Sequence, residues 1–349
     1  MKERINIKIG EKIKPFIIAE MSGNHNQSIE RALHIVEAAA KCKVDALKLQ
    51  TFSLDLMTLD SNAEGFIIND SNSLWKGKKL YDLYKEAYTP WEWHKPIFDK
   101  CKELGIIGFS TPFDEPAVNF LESLNVPCYK IASFEIVDIP LIKKIASTGK
   151  PIIMSTGMAT IEEIQEAIDA CKNEGNDKIV LLKCTSSYPA IPSSSNLLTI
   201  PDMMARFNCS VGISDHTLGL GVSVASVALG ATVIEKHFTL SRVDGGIDSA
   251  FSMEPQEMHD LVIESERAWQ ALGTVNYIPT AEEKKTMRFR RSLYVVNDMK
   301  AGDLFTLDNL KSIRPAGGIS PKHINDLLGK KISKNTKKGT PITWDLVIE

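Results

Sequence analysis

Pro151-Ile152-Ile153-Met154-Ser155 is followed by Ile161 to Asn173 and then by Ile179-Val180-Leu181-Leu182-Lys183. The two outer stretches are short apolar runs rich in β-branched residues. The middle one is longer and amphipathic. That order predicts strand, helix, strand, with the strands parallel. The same alternation extends in both directions. Strands are expected at Phe16–Glu20, Val44–Leu49, Ile106–Ser110, Cys128–Ala132, Ser210–Ile213 and Thr232–Lys236. Helices are expected at Ser28–Cys42 (Ser28 as N-cap), Pro90–Leu104, Glu115–Leu124, Ile139–Ser147, near Pro201–Phe207, Leu220–Leu229 and Gln256–Leu272. Eight nearly continuous apolar strands alternating with helices predict an α/β fold, a closed (β/α)8 TIM barrel. Residues 52–89 read as irregular. A βα connection of that length commonly carries function.

A barrel of this kind takes about 250 residues, which does not exhaust a chain of 349. The expected division is a barrel over 1–272, a linker with a helix (Glu282–Arg291) over 273–291, and a small β-rich domain over 292–349. Hydrophobic residues are 43% and charged residues 24%, which excludes disorder as the main state. The net charge of −3 offers no basic excess for nucleic acid. The longest weakly polar stretch, Val222–Ile234, is broken by Ser223, Ser226, Gly230 and Thr232 and is too short for a bilayer. Met1-Lys2-Glu3-Arg4-Ile5-Asn6 has no apolar run behind its charges, so a soluble, cytoplasmic protein is expected. The six cysteines are scattered, with no CxxC spacing, and read as small buried hydrophobes in a reducing compartment.

Barrel active sites lie at the C-terminal ends of the strands. Here nearly every strand end is polar: Glu20, Lys48 and Gln50, Ser110 and Thr111, Lys130 and Ser133, Ser155 and Thr156, Lys183 and Thr185, Ser214 to His216, and Glu235 to His237. One such Ser or Thr is usually a helix cap; the convergence of eight points to a site. His216 and His237 end neighbouring strands and could share a divalent cation, or each could be a hydrogen-bonded core histidine. His25 could orient a substrate. Lys48, Lys130 and Lys183 point to an anionic substrate, or to ion pairs with Glu20, Glu135 or Glu235. Ser155-Thr156-Gly157-Met158 before a helix could bind an anion. Cation, lysines, hydroxyls and carboxylates together suit condensation of an enol phosphate with a carbonyl compound. A metal-dependent barrel hydrolase and a non-enzymatic carbohydrate- or ice-binding protein are the other classes; the lysines weigh against the first, the strand ends against the second.

Ile18-Ala19-Glu20, Leu47-Lys48-Leu49-Gln50-Thr51, Ser110-Thr111-Pro112-Phe113, Tyr129-Lys130-Ile131-Ala132-Ser133, Leu182-Lys183-Cys184-Thr185-Ser186-Ser187-Tyr188-Pro189, Gly212-Ile213-Ser214-Asp215-His216-Thr217 and Glu235-Lys236-His237-Phe238-Thr239 resemble the sialic acid synthase family. The tail, with Arg314-Pro315 and Gly329-Lys330-Lys331, is similar to that family's antifreeze-like (SAF, β-clip) domain. Ser71–His94 and Asp244–Ser252 resemble its pseudaminic acid synthase branch. The resemblance implies condensation of phosphoenolpyruvate with 2,4-diacetamido-2,4,6-trideoxy-L-altrose and water, giving pseudaminic acid and phosphate by C–O cleavage, for surface glycans. N-acetylneuraminate and legionaminic acid synthases are the nearest alternatives. It further implies that His216 and His237 bind Mn2+ or Mg2+. Lys48, Thr111, Lys130, Ser133, Ser155 and Ser214 would hold phosphoenolpyruvate. Glu20 and Glu135 would position sugar and water, with Glu135 moving the proton. Gln50, Phe113, Tyr188 and Asp248 would line the sugar side. Arg314 would arrive from the other subunit of a domain-swapped homodimer. Ser186 stands where sialic acid synthases carry Asn, which weakens its assignment to phosphoenolpyruvate. Ala250-Phe251 would suit a sugar that ends in a methyl group.

Overall fold

The computed structural model describes residues 13–71 and 73–348. The amino-terminal segment read above for a targeting signal lies outside the described residues. The chain forms two compact units, Met1–Gly273 and Thr274–Glu349. In the first, eight parallel strands close into a barrel in sequence order. They are β1 (Phe16–Glu20), β2 (Ala46–Thr51), β3 (Ile107–Pro112), β4 (Tyr129–Ile131), β5 (Ile152–Ser155), β6 (Ile179–Cys184), β7 (Ser210–Ser214) and β8 (Val233–His237). Closure comes from β1 against β8, with Glu20 level with His237.

Strand side chains alternate between the barrel interior and the helices. Phe16, Ile18, Ala46, Phe109, Cys128, Ile153, Val180, Leu182 and Val233 form one buried interior cluster. The intervening residues, such as Ile17, Leu47, Met154, Leu181 and Val211, pack against the helices. The helix Ile29–Lys41 shows the matching periodicity, burying Ala32, Ile35, Val36 and Ala39. Its N-cap is Ser28, whose hydroxyl accepts from Arg31 N at 3.2 Å. Residues 52–89 are less irregular than expected, with short helices at Leu54–Met57 and Leu80–Ala87 and a turn of 3-10 helix at Glu64–Phe66. Pro90 caps the next helix from outside, at Trp91–Glu103, instead of opening it.

The second unit pairs β9 (Ser292–Val295) with β10 (Leu310–Ile313), and β11 (Lys331–Ile332) with β12 (Val347–Ile348), both antiparallel. Its core includes Leu293, Val295, Phe305, Leu310, Leu327, Ile332, Ile342 and Leu346. Ala301-Gly302 and Gly339 lie in turns, and Pro341 makes an isolated bridge with Tyr294. The linker helix is shorter than expected, Ala281–Thr286, continued by a 3-10 turn at Met287–Phe289. No helix among the described residues is long and apolar enough to cross a membrane.

On β7 the interior position below Ser214 is Gly212. A Cβ there would lie 2.3 Å from Val233 O and 2.8 Å from Leu182 Cδ2. β7 and β8 therefore approach more closely than a side chain permits, which sets His216 beside His237. Gly212→Ala is expected to destabilise the barrel by about 1–3 kcal/mol, the usual cost of overpacking. Chemical denaturation of the purified variant checks this.

Candidate active site

The alternation that buries Ile18, Ala46, Phe109, Cys128, Ile153, Leu182 and Val233 also fixes what stands two residues further along each strand. Those positions are Glu20, Lys48, Thr111, Lys130, Ser155, Cys184 and Glu235. They form the polar top layer of the barrel interior. Lys48 Nζ lies 2.6 Å from Glu20 Oε2 and 3.8 Å from Glu235 Oε2. It also donates to Thr111 Oγ1 at 3.1 Å. Lys130 Nζ lies 3.5 Å from Glu235 Oε1 and donates to Ser155 Oγ at 2.7 Å. Ser214 Oγ donates to Glu235 Oε1 at 3.0 Å, and Gln50 Nε2 to Glu20 Oε1 at 3.2 Å. The two lysines and two glutamates are all buried. Both readings of the lysines thus meet in one place. They are ion-paired, and the pairs face the mouth.

The electrostatics follow from burial and pairing. Burial pushes the Glu20 carboxyl up to about 7 against the opposing charge of Lys48. Burial would also raise Glu235, but Lys130 and Lys48 hold it below the ordinary carboxylate value. Burial would lower Lys48, and Glu20 and Glu235 together raise it. For Lys130 burial prevails and the ammonium is lowered. Glu135 sits on the 3-10 turn Ser133–Glu135 after β4, and burial pushes it up to about 7. Its Oε2 is buried without a hydrogen-bond partner among the described residues.

His216 and His237 have ring centroids 5.4 Å apart. His216 Nδ1 lies 3.0 Å from Thr185 O, so donating there leaves Nε2 as a free lone pair. His237 Nδ1 is buried without a hydrogen-bond partner, 3.9 Å from Asp248 Oδ2. Burial and the charges of Lys48, Lys236 and Lys130 hold His237 well below its ordinary pKa, and His216 adds to this when protonated. Burial lowers His216 itself, but Cys184, Thr185 O and Glu235 outweigh it and raise it, so its lone pair is open in the deprotonated form. Two neutral-capable imidazoles with open nitrogens fit a divalent cation. No third His, Cys, Asp or Glu joins them in a ligand cluster among the described residues, so water or substrate would complete the shell. Behind the pair, Lys236 Nζ lies 3.0 Å from Asp215 Oδ2 and donates to Thr217 O at 2.6 Å. This buried clamp on the helix side anchors the segments that carry both histidines.

The remaining expected residues divide into groups. Ser133 Oγ accepts from Gly157 N at 3.1 Å. Ser186 Oγ packs against Gly157, where a Cβ would approach it to 2.2 Å. Tyr188 stands 4.5 Å from the His216 ring. Asp248 is buried and accepts from the hydroxyl of Ser22. Phe113 is half-buried in a separate aromatic group, 5.7 Å from Phe52. Arg314 is exposed at the end of β10 in the second unit.

Some expectations fail. Lys183 has the helix-side parity and donates to Thr185 Oγ1 at 2.9 Å and Cys184 O at 3.0 Å, away from the interior layer. His25 is fully buried, with Nε2 3.1 Å from Thr89 Oγ1 and Nδ1 accepting from Gln27 N at 3.2 Å, so both nitrogens are occupied. The helix after Ser155–Met158 is capped by its own Thr160–Glu163 box, which uses two of the amide donors expected for an anion. Two residues were given no role of their own. Glu235, read as a polar strand end and as a pairing partner for the lysines, is the hinge of the charge layer. Cys184, read as core, faces the site: burial pushes its thiol up, but hydrogen bonds and charge from His216, with Ser133 and Ser186, outweigh it and bring it to about 7. Strand parity would have found both.

A NeuB family model matches residues 35–277, and a SAF domain model matches residues 290–348. The chain belongs to the NeuB family, and its second unit carries a SAF domain. It is 44% identical to the pseudaminic acid synthase of Campylobacter jejuni over 93% of this chain and 94% of that one. It is 42% identical to the pseudaminic acid synthase of Helicobacter pylori over 95% and 97% of the two chains. Among solved structures, an N-acetylneuraminic acid synthetase of Leptospira borgpetersenii in complex with citrate superposes with a TM-score of 0.72 at 33% identity, covering 81% of this chain and 93% of that chain.

Glu135 binds its proton more tightly when folded than an ordinary carboxyl of 4.5 does. Its contribution to stability therefore falls as pH rises from about 4.5 to about 7. Glu135→Gln is expected to raise the thermal midpoint at pH values above that window and to change it little below. Paired melts across the window check the sign.

Proposed function

We propose that this chain is a metal-dependent pseudaminic acid synthase. Phosphoenolpyruvate condenses with 2,4-diacetamido-2,4,6-trideoxy-L-altrose and water to give pseudaminic acid and phosphate. The observation that carries this reading is the buried Lys48–Glu20–Glu235–Lys130 layer beside two histidines with open nitrogens. The similarity to pseudaminic acid synthases over nearly the full chain supports the choice of sugar.

An incoming phosphate and carboxylate take over the lysines from their glutamates. Thr111, Ser133, Ser155 and Ser214 supply further donors, and Ser186 stands at the edge of that group. His216 and His237 would hold Mn2+ or Mg2+, which when bound polarises the aldehyde of the open-chain sugar. Carbon 3 of the enol bonds to that aldehyde carbon as the carbonyl π pair moves to its oxygen. Water adds at the resulting electron-poor carbon 2, and Glu135 takes its proton, which balances the one gained by the new alkoxide. The hydroxyl left at carbon 2 collapses to the ketone as the bond from carbon 2 to the phosphate oxygen breaks, and its proton leaves with phosphate. Glu20, with Gln50, orients the sugar, while Phe113, Tyr188 and Asp248 line its side of the mouth.

The active form is a homodimer in the cytoplasm, in which Arg314 of a second copy reaches the sugar. In its support, Phe134, Val137, Met158, Ile191 and Leu218 are exposed apolar residues on the connections that follow β4 to β7.

With phosphoenolpyruvate, the sugar and Mn2+ present, phosphate release is expected only when all are supplied, and chelation is expected to abolish it. Product mass identifies the acid; a preference for N-acetylmannosamine would contradict the sugar assignment. Lys130→Met is expected to lower kcat/KM for phosphoenolpyruvate about tenfold to hundredfold, the worth of a hydrogen bond to a charged group. Deleting residues 282–349 is expected to abolish synthesis even where the barrel stays folded.

A further inference from the structure

Two stretches far apart in sequence carry the branch-level resemblance, Ser71–His94 and Asp244–Ser252. The structure joins them directly. Trp75 Nε1 donates to Ile247 O at 3.1 Å. The Trp75 ring lies 5.9 Å from Tyr188, and Tyr188 lies 4.5 Å from His216 and 5.3 Å from Phe251. Phe251 in turn packs 4.9 Å from His237. Trp75 therefore stands one ring beyond Tyr188, at the outer end of an aromatic wall that starts at the histidines.

Next to it is a cleft of about 550 Å³ whose lining includes Leu74, Trp75, Ile247 and Ala250. Lys78 and Glu86, paired at 2.6 Å, also line it. Leu74, Trp75, Ile247 and Ala250 give the cleft its apolar lining, and Asn26, Gln27, Lys78 and Glu86 its polar lining. Trp75 has its only polar atom committed to Ile247 O, so the ring offers no donor or acceptor to a hydroxyl. A hydroxyl set against it loses water without gaining a partner, whereas a methyl group gains contact.

We infer that Trp75 is a specificity-determining residue that reads the carbon 6 end of the sugar and favours a methyl over a hydroxymethyl group. The inference rests on the proposed condensation reaction. An apolar wall discriminates modestly against an added hydroxyl, on the order of tenfold to hundredfold.

The test uses the full-length enzyme with phosphoenolpyruvate, Mn2+ and two 2,4-diacetamido sugars that differ only in bearing methyl or hydroxymethyl at carbon 6. The wild type is expected to prefer the methyl sugar by about tenfold to hundredfold in kcat/KM. Trp75→Gln is expected to bring the ratio towards one, with the loss falling on the methyl sugar and KM for phosphoenolpyruvate held. Trp75→Phe, which keeps an apolar ring, is expected to retain the preference. Where the Gln variant does not fold, Trp75→Tyr brings a hydroxyl to the same wall and is expected to narrow the ratio. Equal losses on both sugars, with the ratio preserved, would overturn the assignment. A wild type that turns over neither sugar would instead overturn the proposed function.

Discussion

Four buried charges in one layer of the barrel organise the rest of the molecule. Taking an ion out of water costs several kcal/mol unless a partner and hydrogen bonds replace the solvent. Lys48 and Lys130 meet that requirement with Glu20 and Glu235, helped by Thr111, Ser155 and Ser214. The pairing keeps the mouth formed before substrate arrives. It is also exchangeable, because a phosphate or carboxylate can replace either glutamate at its lysine. The layer exists only because four strands place the right residue at the same interior height. Beside the layer, β7 and β8 approach closely at Gly212, and Asp215 and Lys236 pair behind the histidines.

Much of this was legible in the sequence. The apolar runs defined eight strands, and their polar ends named Glu20, Lys48, Lys130, Ser155, Ser214, His216 and His237. Which ends face inward was harder to read. Lys183 and Lys236 sit at strand ends as conspicuously as Lys48 does, yet one residue of parity turns them towards the helices. Cys184 and Glu235 face inward by the same rule. His25 looked available because it follows a strand, but the loop folds back and buries it against Thr89 and Trp93. Contacts such as Trp75–Ile247 and Ser22–Asp248 join residues that no local pattern relates.

The two kinds of side chain at the mouth divide the labour. Charged residues on β1, β2, β4 and β8 face the part of the site suited to a small anion. The aromatic wall from Phe251 through Tyr188 to Trp75 borders the part beyond the histidines. The first group sits on rigid strands, where positions are fixed by the barrel. The second is carried on long connections after β2, β6 and β8, where residues can change without disturbing the barrel. Shared chemistry with different sugars is the expected consequence of that separation.

In the proposed reaction phosphoenolpyruvate loses phosphate by attack at its carbon 2. Phosphoenolpyruvate labelled with heavy oxygen at the bridging position tests it most directly. Cleavage between carbon 2 and that oxygen sends the label into inorganic phosphate, which is the result expected here. Label retained in the sugar acid would mean cleavage at phosphorus and would contradict the mechanism.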